Sequence, residues 1–201
     1  IPHVHGVRDA DTAFGFAYAQ AEDGWELIEE TMPFYRGESA RYNGIDAAPA
    51  DYMIHWLGVR DWVEKGYSSQ LTPKTRLLVE AYTDGLNYFA EQHPDRVDRS
   101  MLPITKEDVI TGFVVRHLMF YGFDQVLKEV VGPTRAREVA KLTADLGLTS
   151  IPIGSNAIAV APPVTDDGAT RLMINSHQPT DGPVAWYEAH ISSDEGLDIM
   201  G

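Results

Sequence analysis

Ile153-Gly154-Ser155-Asn156-Ala157-Ile158-Ala159-Val160 is the stretch on which the reading of this chain turns. Before it, apolar residues recur in helical spacing; after it come short apolar runs separated by turn residues. The fold class that follows is α+β, with a mostly helical region over 1–154 and the opening strands of a second region over 155–201. A Gly-Ser step at such a junction is a place where a precursor can cut itself and leave Ser155 as a new N-terminus. An N-terminal serine carries its own base, because an α-amino group with an ordinary pKa of about 8 lies within reach of its hydroxyl. Lacking a Cβ, Gly154 is expected to adopt the strained conformation in which the serine hydroxyl attacks the preceding carbonyl. That attack forms an ester, and water then releases two chains. Gly-Ser-Asn alone is ordinary turn sequence. Its position, at the head of a strand behind a helical leader, gives it weight.

Working outward, residues 1–8 alternate loosely and predict a short strand. From Asp11, a possible N-cap, Phe14, Ala17, Ala21, Trp25 and Ile28 recur at threes and fours. Residues 35–51, rich in glycine and proline, predict looser chain. Thr72-Pro73 reads as a cap followed by proline at the first helical position, with Pro94 as the stop. Thr105-Lys106-Glu107-Asp108 resembles a capping box, with aspartate in place of the usual glutamate. It opens an apolar helix running to about Val131; Gly132-Pro133 breaks it, and another helix is expected from Thr134 to about Leu146. Downstream, strands are expected at Asn156–Ala161, Arg171–Ser176, Ala185–Ser192 and Leu197–Met200, arranged as a meander, with Asp166-Asp167-Gly168 turning the first pair.

Composition narrows the function classes. The chain has 201 residues, 44% of them hydrophobic, enough for a real core. Its net charge of −14 arises from 30 acidic against 16 basic residues and repels nucleic acid and anionic lipid. No cysteine is present, which excludes disulfides, thiolate metal sites and a cysteine nucleophile. No apolar run approaches a membrane span. Both ends read as though cut inside an element, so a missing signal peptide says nothing about secretion.

Ser155-Asn156-Ala157-Ile158-Ala159-Val160 resembles the start of the β-subunit in the penicillin amidase family of N-terminal nucleophile hydrolases. Four further segments agree, in the family's order. Pro2-His3-Val4-His5 and Gly15-Phe16-Ala17-Tyr18-Ala19-Gln20-Ala21-Glu22-Asp23 look like its first strand and α-subunit helix signature. Asn175-Ser176-His177 looks like its Asn-x-His segment, and Trp186-Tyr187-Glu188-Ala189-His190 like the strand that follows. The resemblance implies the opening of an αββα four-layer sandwich, within a larger precursor that is periplasmic or secreted. It implies a self-processing amidohydrolase that cleaves N-acyl compounds, such as acyl-homoserine lactones or β-lactam antibiotics.

Residue by residue, the resemblance makes Ser155 the nucleophile and Gly154 the other side of the processing bond. His177 falls where several members place a histidine that helps position serine and substrate; a structural sheet histidine is the equal alternative. Asn156 would orient the new terminus. Met119, Phe120 and Phe123 fall where the α-subunit walls the acyl pocket, although aromatic residues at helical spacing more often serve a core. Gln178 stands where some acyl-homoserine lactone acylases carry an aromatic residue, which leaves the pocket's shape open. The oxyanion hole is expected from the remainder of the β-subunit, beyond Gly201, so the fragment alone should be inactive. No cofactor is implied. Some members hold a structural calcium, and Glu129 sits in about the right place, but it is left unassigned.

Other features carry less. His3 and His5, two apart on a strand, share a face and a metal between them would lack a third ligand; a structural role is the plainer reading. Asp166-Asp167 and Asp194-Glu195 read as hydrated turns. The rival from another class is a non-catalytic α/β interaction module with an acidic surface. A conventional serine hydrolase is disfavoured, because no Gly-x-Ser-x-Gly elbow is present.

Overall fold

A single long helix organises everything else. α1 (Asp9–Arg36) buries Ala17, Ala21, Trp25, Ile28 and Met32 along one face, bends at Gly24, and ends at Gly37 in the left-handed conformation. The computed structural model describes residues 1–123, 154–177 and 185–201. The N-cap of α1 is Arg8 rather than Asp11. Asp11 stands at the third helical position, where its carboxylate accepts the Arg8 backbone N–H at 2.9 Å.

α5 (Pro73–Gln92) packs along α1, starting at the Thr72 cap and proline that the sequence predicts. The two backbones come very close at Gly85, where a Cβ would lie 2.3 Å from the Phe14 carbonyl oxygen. Trp25 of α1 stacks on Phe89 of α5 with ring centroids 5.4 Å apart, and both rings are fully buried.

The expected loose stretch after Tyr35 is largely helical. α2 (Ser39–Asn43), a 3-10 turn at Ile45–Ala47, α3 (Ala48–Leu57) and α4 (Val59–Gln70) follow in succession. Asp51 of α3 accepts hydrogen bonds from the Ser39 and Ala40 amides at 2.6 and 2.8 Å, capping the start of α2 from outside it. Such a cap is a tertiary contact, invisible to local pattern. In α4 the buried residues Val59, Val63 and Tyr67 do keep helical spacing.

α6 (Lys106–Phe120) opens with the predicted capping box: Thr105 Oγ1 accepts the Asp108 amide and Asp108 accepts the Thr105 amide at 2.8 Å. The predicted continuation to Val131, the Gly132-Pro133 break and the helix at 134–146 fall outside the described residues. Asp108 does more than cap. Its fully buried carboxylate lies 2.7 Å from Arg36 Nη2 and 2.6 Å from Arg60 Nη1, joining the end of α1, α4 and the start of α6.

The strands form two sheets rather than one meander. β2 (Gly154–Val160) and β3 (Arg171–His177) make an antiparallel pair, while β4 (His190–Ser193) and β5 (Asp198–Met200) pair with β1 (His3–Gly6) in the order β1-β4-β5. β1 and β4 run parallel, with His3 opposite His190. The expected strand from Ala185 starts only at His190, although Ala189 already exchanges backbone hydrogen bonds with Gly201 at 2.8 and 3.1 Å. β4 is drawn to β1 by contacts with α1. Thr12 donates to the Ser192 carbonyl at 2.8 Å, Ser193 to Asp9 at 2.6 Å, and Glu195 accepts the Asp9 amide at 2.9 Å. Among the described residues a mostly helical body carries a few strands, consistent with an α+β fragment.

Two predictions follow from this packing. Gly85→Ala should lower the unfolding free energy by about 1–3 kcal/mol, read from urea denaturation, because the Phe14 carbonyl cannot retreat without moving α1. Asp108→Asn should cost about 3–5 kcal/mol by leaving two guanidinium groups without their buried counter-charge. Burial alone would raise the Asp108 carboxyl, but Arg36, Arg60 and the Thr105 amide outweigh it and hold it below its ordinary value. Its stabilising contribution is thus complete above the unfolded value of about 3.9 and is lost as pH falls through the folded one. The variant's stability should accordingly respond less to acid than the parent's.

Candidate active site

Alternation along β2 places Gly154 and Asn156 on one face and Ser155 on the other. The register sets Gly154 opposite His177, Ser155 opposite Ser176 and Asn156 opposite Asn175. Ser155 Oγ donates a hydrogen bond of 2.6 Å to the Gly154 carbonyl oxygen. The hydroxyl is thus turned back on the peptide group that precedes it.

On the opposite face, Asn156 Nδ2 lies 3.2 Å from His177 Nε2. An amide nitrogen only donates, so Nε2 is the accepting nitrogen and the ring proton sits on Nδ1. Nδ1 in turn lies over Gly154: a Cβ there would come within 3.0 Å of it. Gly154 is not among the residues with positive φ, so no left-handed strain is present. The imidazole instead crowds the position a Cβ would take, so a side chain there would require the ring to shift.

Gly154, Ser155, Asn156 and His177 therefore form one cluster. Met119, Phe120 and Phe123 do not join it. Met119 is buried in the helical core, Phe123 is half-buried against that core, and the Phe120 ring meets Trp186 with centroids 6.3 Å apart. Among the described residues, no packing layer forms between α6 and the β2–β3 pair. A hollow of about 430 Å³ on the hairpin, lined by Ile158, Val160, Arg171, Leu172 and Met173, lies at the end away from Ser155 and is walled by the two strands alone. Glu129 and Gln178 fall outside the described residues.

His3 and His5 do share a face, but each turns to a cross-strand partner. His3 Nδ1 is 2.9 Å from His190 Nδ1; His5 is 3.0 Å from Ser192 Oγ and 3.2 Å from Asp194. Among the described residues no group of three or more histidine or acidic side chains converges to hold a metal. The turn acids are likewise engaged, Asp167 with Arg171 at 2.7 Å and Asp194 with His5. No described helix is long and apolar enough to cross a membrane.

Sequence reasoning missed the aromatic seam between α1 and residues 185–189. Tyr187 donates to Asp23 at 2.5 Å and its ring lies 5.7 Å from Phe16, while Arg116 donates to the Ala185 carbonyl. Burial, reinforced by the Asp23 carboxylate, pushes the Tyr187 hydroxyl far above its ordinary range. The quoted segments around Phe16 and Tyr187 contained the signal, but nothing in their spacing said they meet.

The penicillin amidase family model matches residues 1–201, the whole chain. The chain belongs to the penicillin amidase family. Among its relatives, the acyl-homoserine lactone acylase PvdQ of Pseudomonas fluorescens (strain Pf0-1) is 26% identical over all of this chain and 29% of its own length. Aculeacin-A acylase of Actinoplanes utahensis is 24% identical over the same shares. Penicillin acylase 2 proenzyme of Pseudomonas sp. (strain SE83) is 27% identical over 44% of this chain and 11% of its own. The chain spans under a third of the length of the acylases it matches from end to end. Within the penicillin amidase family, then, its full-length relatives are acylases.

The Asn156–His177 contact is open to direct measurement. Nitrogen-15 imidazole spectra of the full-length protein should show His177 with Nδ1 protonated and Nε2 bare. In Asn156→Asp, whose carboxylate accepts rather than donates, the proton should move to Nε2. An unchanged pattern in that variant would show that the amide does not set the tautomer.

Proposed function

We propose that this chain carries the nucleophile and the processing site of a self-cleaving acylase, an amidohydrolase acting on N-acyl compounds. The observation that carries the reading is the Ser155 hydroxyl held 2.6 Å from the Gly154 carbonyl oxygen at the head of β2, in a chain of this family. In self-cleavage Ser155 Oγ adds to the Gly154 carbonyl carbon and the C–N bond breaks. The hydroxyl proton passes to the Ser155 nitrogen, leaving an ester beside a free amine. Water hydrolyses the ester: its oxygen bonds to the Gly154 carbonyl carbon, one of its protons goes to Oγ and the other to the α-amino group, and Gly154 is freed as a carboxylate.

Catalysis then repeats the sequence on a substrate. The α-amino group of Ser155 takes the hydroxyl proton as Oγ attacks the acyl carbonyl, and gives it to the departing amine. Water clears the acyl-enzyme. The oxyanion hole is supplied by the remainder of the β-subunit, the partner of this chain in the working enzyme. His177, whose ring lies beside Gly154, helps position the serine and the substrate. Fatty or aryl acyl amides, such as acyl-homoserine lactones or β-lactam antibiotics, are the substrates, and the mature protein works in the periplasm or outside the cell.

The test is intact mass and N-terminal sequencing of the full-length gene product beside its Ser155→Ala variant. The parent should yield a second chain beginning Ser-Asn-Ala-Ile, and the variant should stay whole and lose measurable acylase activity. A fully active, uncleaved parent would sink the proposal and favour a conventional hydrolase; two inactive, uncleaved proteins would favour the interaction module. A pH profile checks the base separately. Since the α-amine acts only when unprotonated, kcat/KM should rise with pH and level off above about 8.

A further inference from the structure

In the uncut chain the Ser155 hydroxyl donates to the Gly154 carbonyl oxygen at 2.6 Å, and that contact orients it. Under the proposed function the acceptor does not survive processing. Once the Gly154–Ser155 bond breaks, the carbonyl becomes part of a free carboxylate on the other product. The mature hydroxyl therefore needs a new partner, and the strand pair restricts which side chain can be one.

Opposed residues of an antiparallel pair point to the same side of it. Ser155 thus shares its face with Ala157 and Ala159 of β2 and with Leu172, Ile174 and Ser176 of β3. Apart from the two serines, these side chains are hydrocarbon. Ser176 is the only other polar side chain that the two strands put on that face, and it is the direct register partner of Ser155. Opposed Cβ atoms lie about 4.5–5.5 Å apart, so two hydroxyls turned toward each other meet at hydrogen-bond distance. Ser176 is exposed, and no described group holds its hydroxyl.

We infer that Ser176 is a positioning residue for the mature nucleophile, its hydroxyl donating to Ser155 Oγ once the chain is cut. The direction of the bond follows from the chemistry. Ser155 Oγ must keep its own proton aimed at the α-amino group that removes it, so Ser176 donates and an Oγ lone pair accepts. The bond strengthens as negative charge builds on Oγ, both in the attack and when the ester C–O bond breaks. Ser176 itself transfers no proton and forms no covalent bond. Self-cleavage does not depend on it, because the Gly154 carbonyl still orients the hydroxyl at that stage. This inference rests on the self-processing reading and deepens it.

The test compares the full-length, processed enzyme with its Ser176→Ala, Ser176→Thr and Ser176→Val variants. Threonine and valine have the same shape and both suit a strand, so that pair differs in the hydroxyl alone. The probe is phenylmethanesulfonyl fluoride, a general serine reagent, and the readout is the rate at which the chain beginning at Ser155 gains the sulfonyl mass. Ser176→Ala and Ser176→Val should react about threefold to tenfold more slowly than the parent, and Ser176→Thr within about twofold of it. The midpoint of the pH profile, set by the α-amine, should stay where it is, and the variant precursors should cut themselves at the parental rate. Parental reactivity in Ser176→Ala, equal rates in Ser176→Thr and Ser176→Val, an equal slowing of self-cleavage, or a processed parent left unlabelled would overturn the inference. An active parent lacking any chain that begins at Ser155 would instead remove the self-processing reading, and this one with it.

Discussion

Asp108 places a full negative charge where no water reaches it, and the helical body is arranged around keeping that charge matched. One carboxylate caps its own helix at Thr105 and bridges Arg36 at the end of α1 to Arg60 in α4. Arg36 also reaches the Met101 carbonyl at 2.7 Å and the Pro103 carbonyl at 3.1 Å, which holds the segment leading into α6. Asn87 of α5 secures the same segment by exchanging two hydrogen bonds with the Ile104 backbone, at 2.7 and 2.9 Å. A buried ion pair adds little net stability over an apolar pair, but it tolerates few alternative arrangements, and losing one partner is costly. The geometry of three helices thus converges on one side chain, and α5 holds the segment beside it.

The same body holds the strands. β1 precedes α1 in the chain, yet its ladder partner β4 comes near the other end, and Asp9 at the start of α1 receives Ser193 and Lys74 together. Tyr187 on Asp23 adds a second fastening further along α1. For the proposed chemistry this has a plain consequence. A cut between Gly154 and Ser155 would divide the covalent chain but none of these contacts, so the two products would stay joined through a parallel ladder and several side-chain bonds.

The β2–β3 pair is placed differently. Its apolar residues Ile158, Leu172, Met173 and Ile174 are each more than half exposed. Two strands alone are marginal in water; under the proposed function the remainder of the β-subunit would cover them. Its register is nonetheless what brings Gly154, Ser155 and His177 together, since a slip of one residue would put the imidazole opposite Ser155 and remove it from Gly154.

The sequence by itself determined the local grammar. The Thr72-Pro73 start, the Thr105–Asp108 capping box and the strands on either side of Asp166-Asp167-Gly168 depend on neighbours within a few residues, and so could be read directly. Family membership was legible for a related reason, because short segments recur in a fixed order along the whole chain. Tertiary structure decided what depends on distant partners. The helices of 39–70 are completed by caps and burial supplied from elsewhere, and the parallel β1–β4 pairing joins strands whose alternation names no partner. The surroundings of Gly154 belong to the same group: residue type alone suggested backbone strain, whereas the imidazole of His177 lying across the ladder is what crowds the place of a side chain.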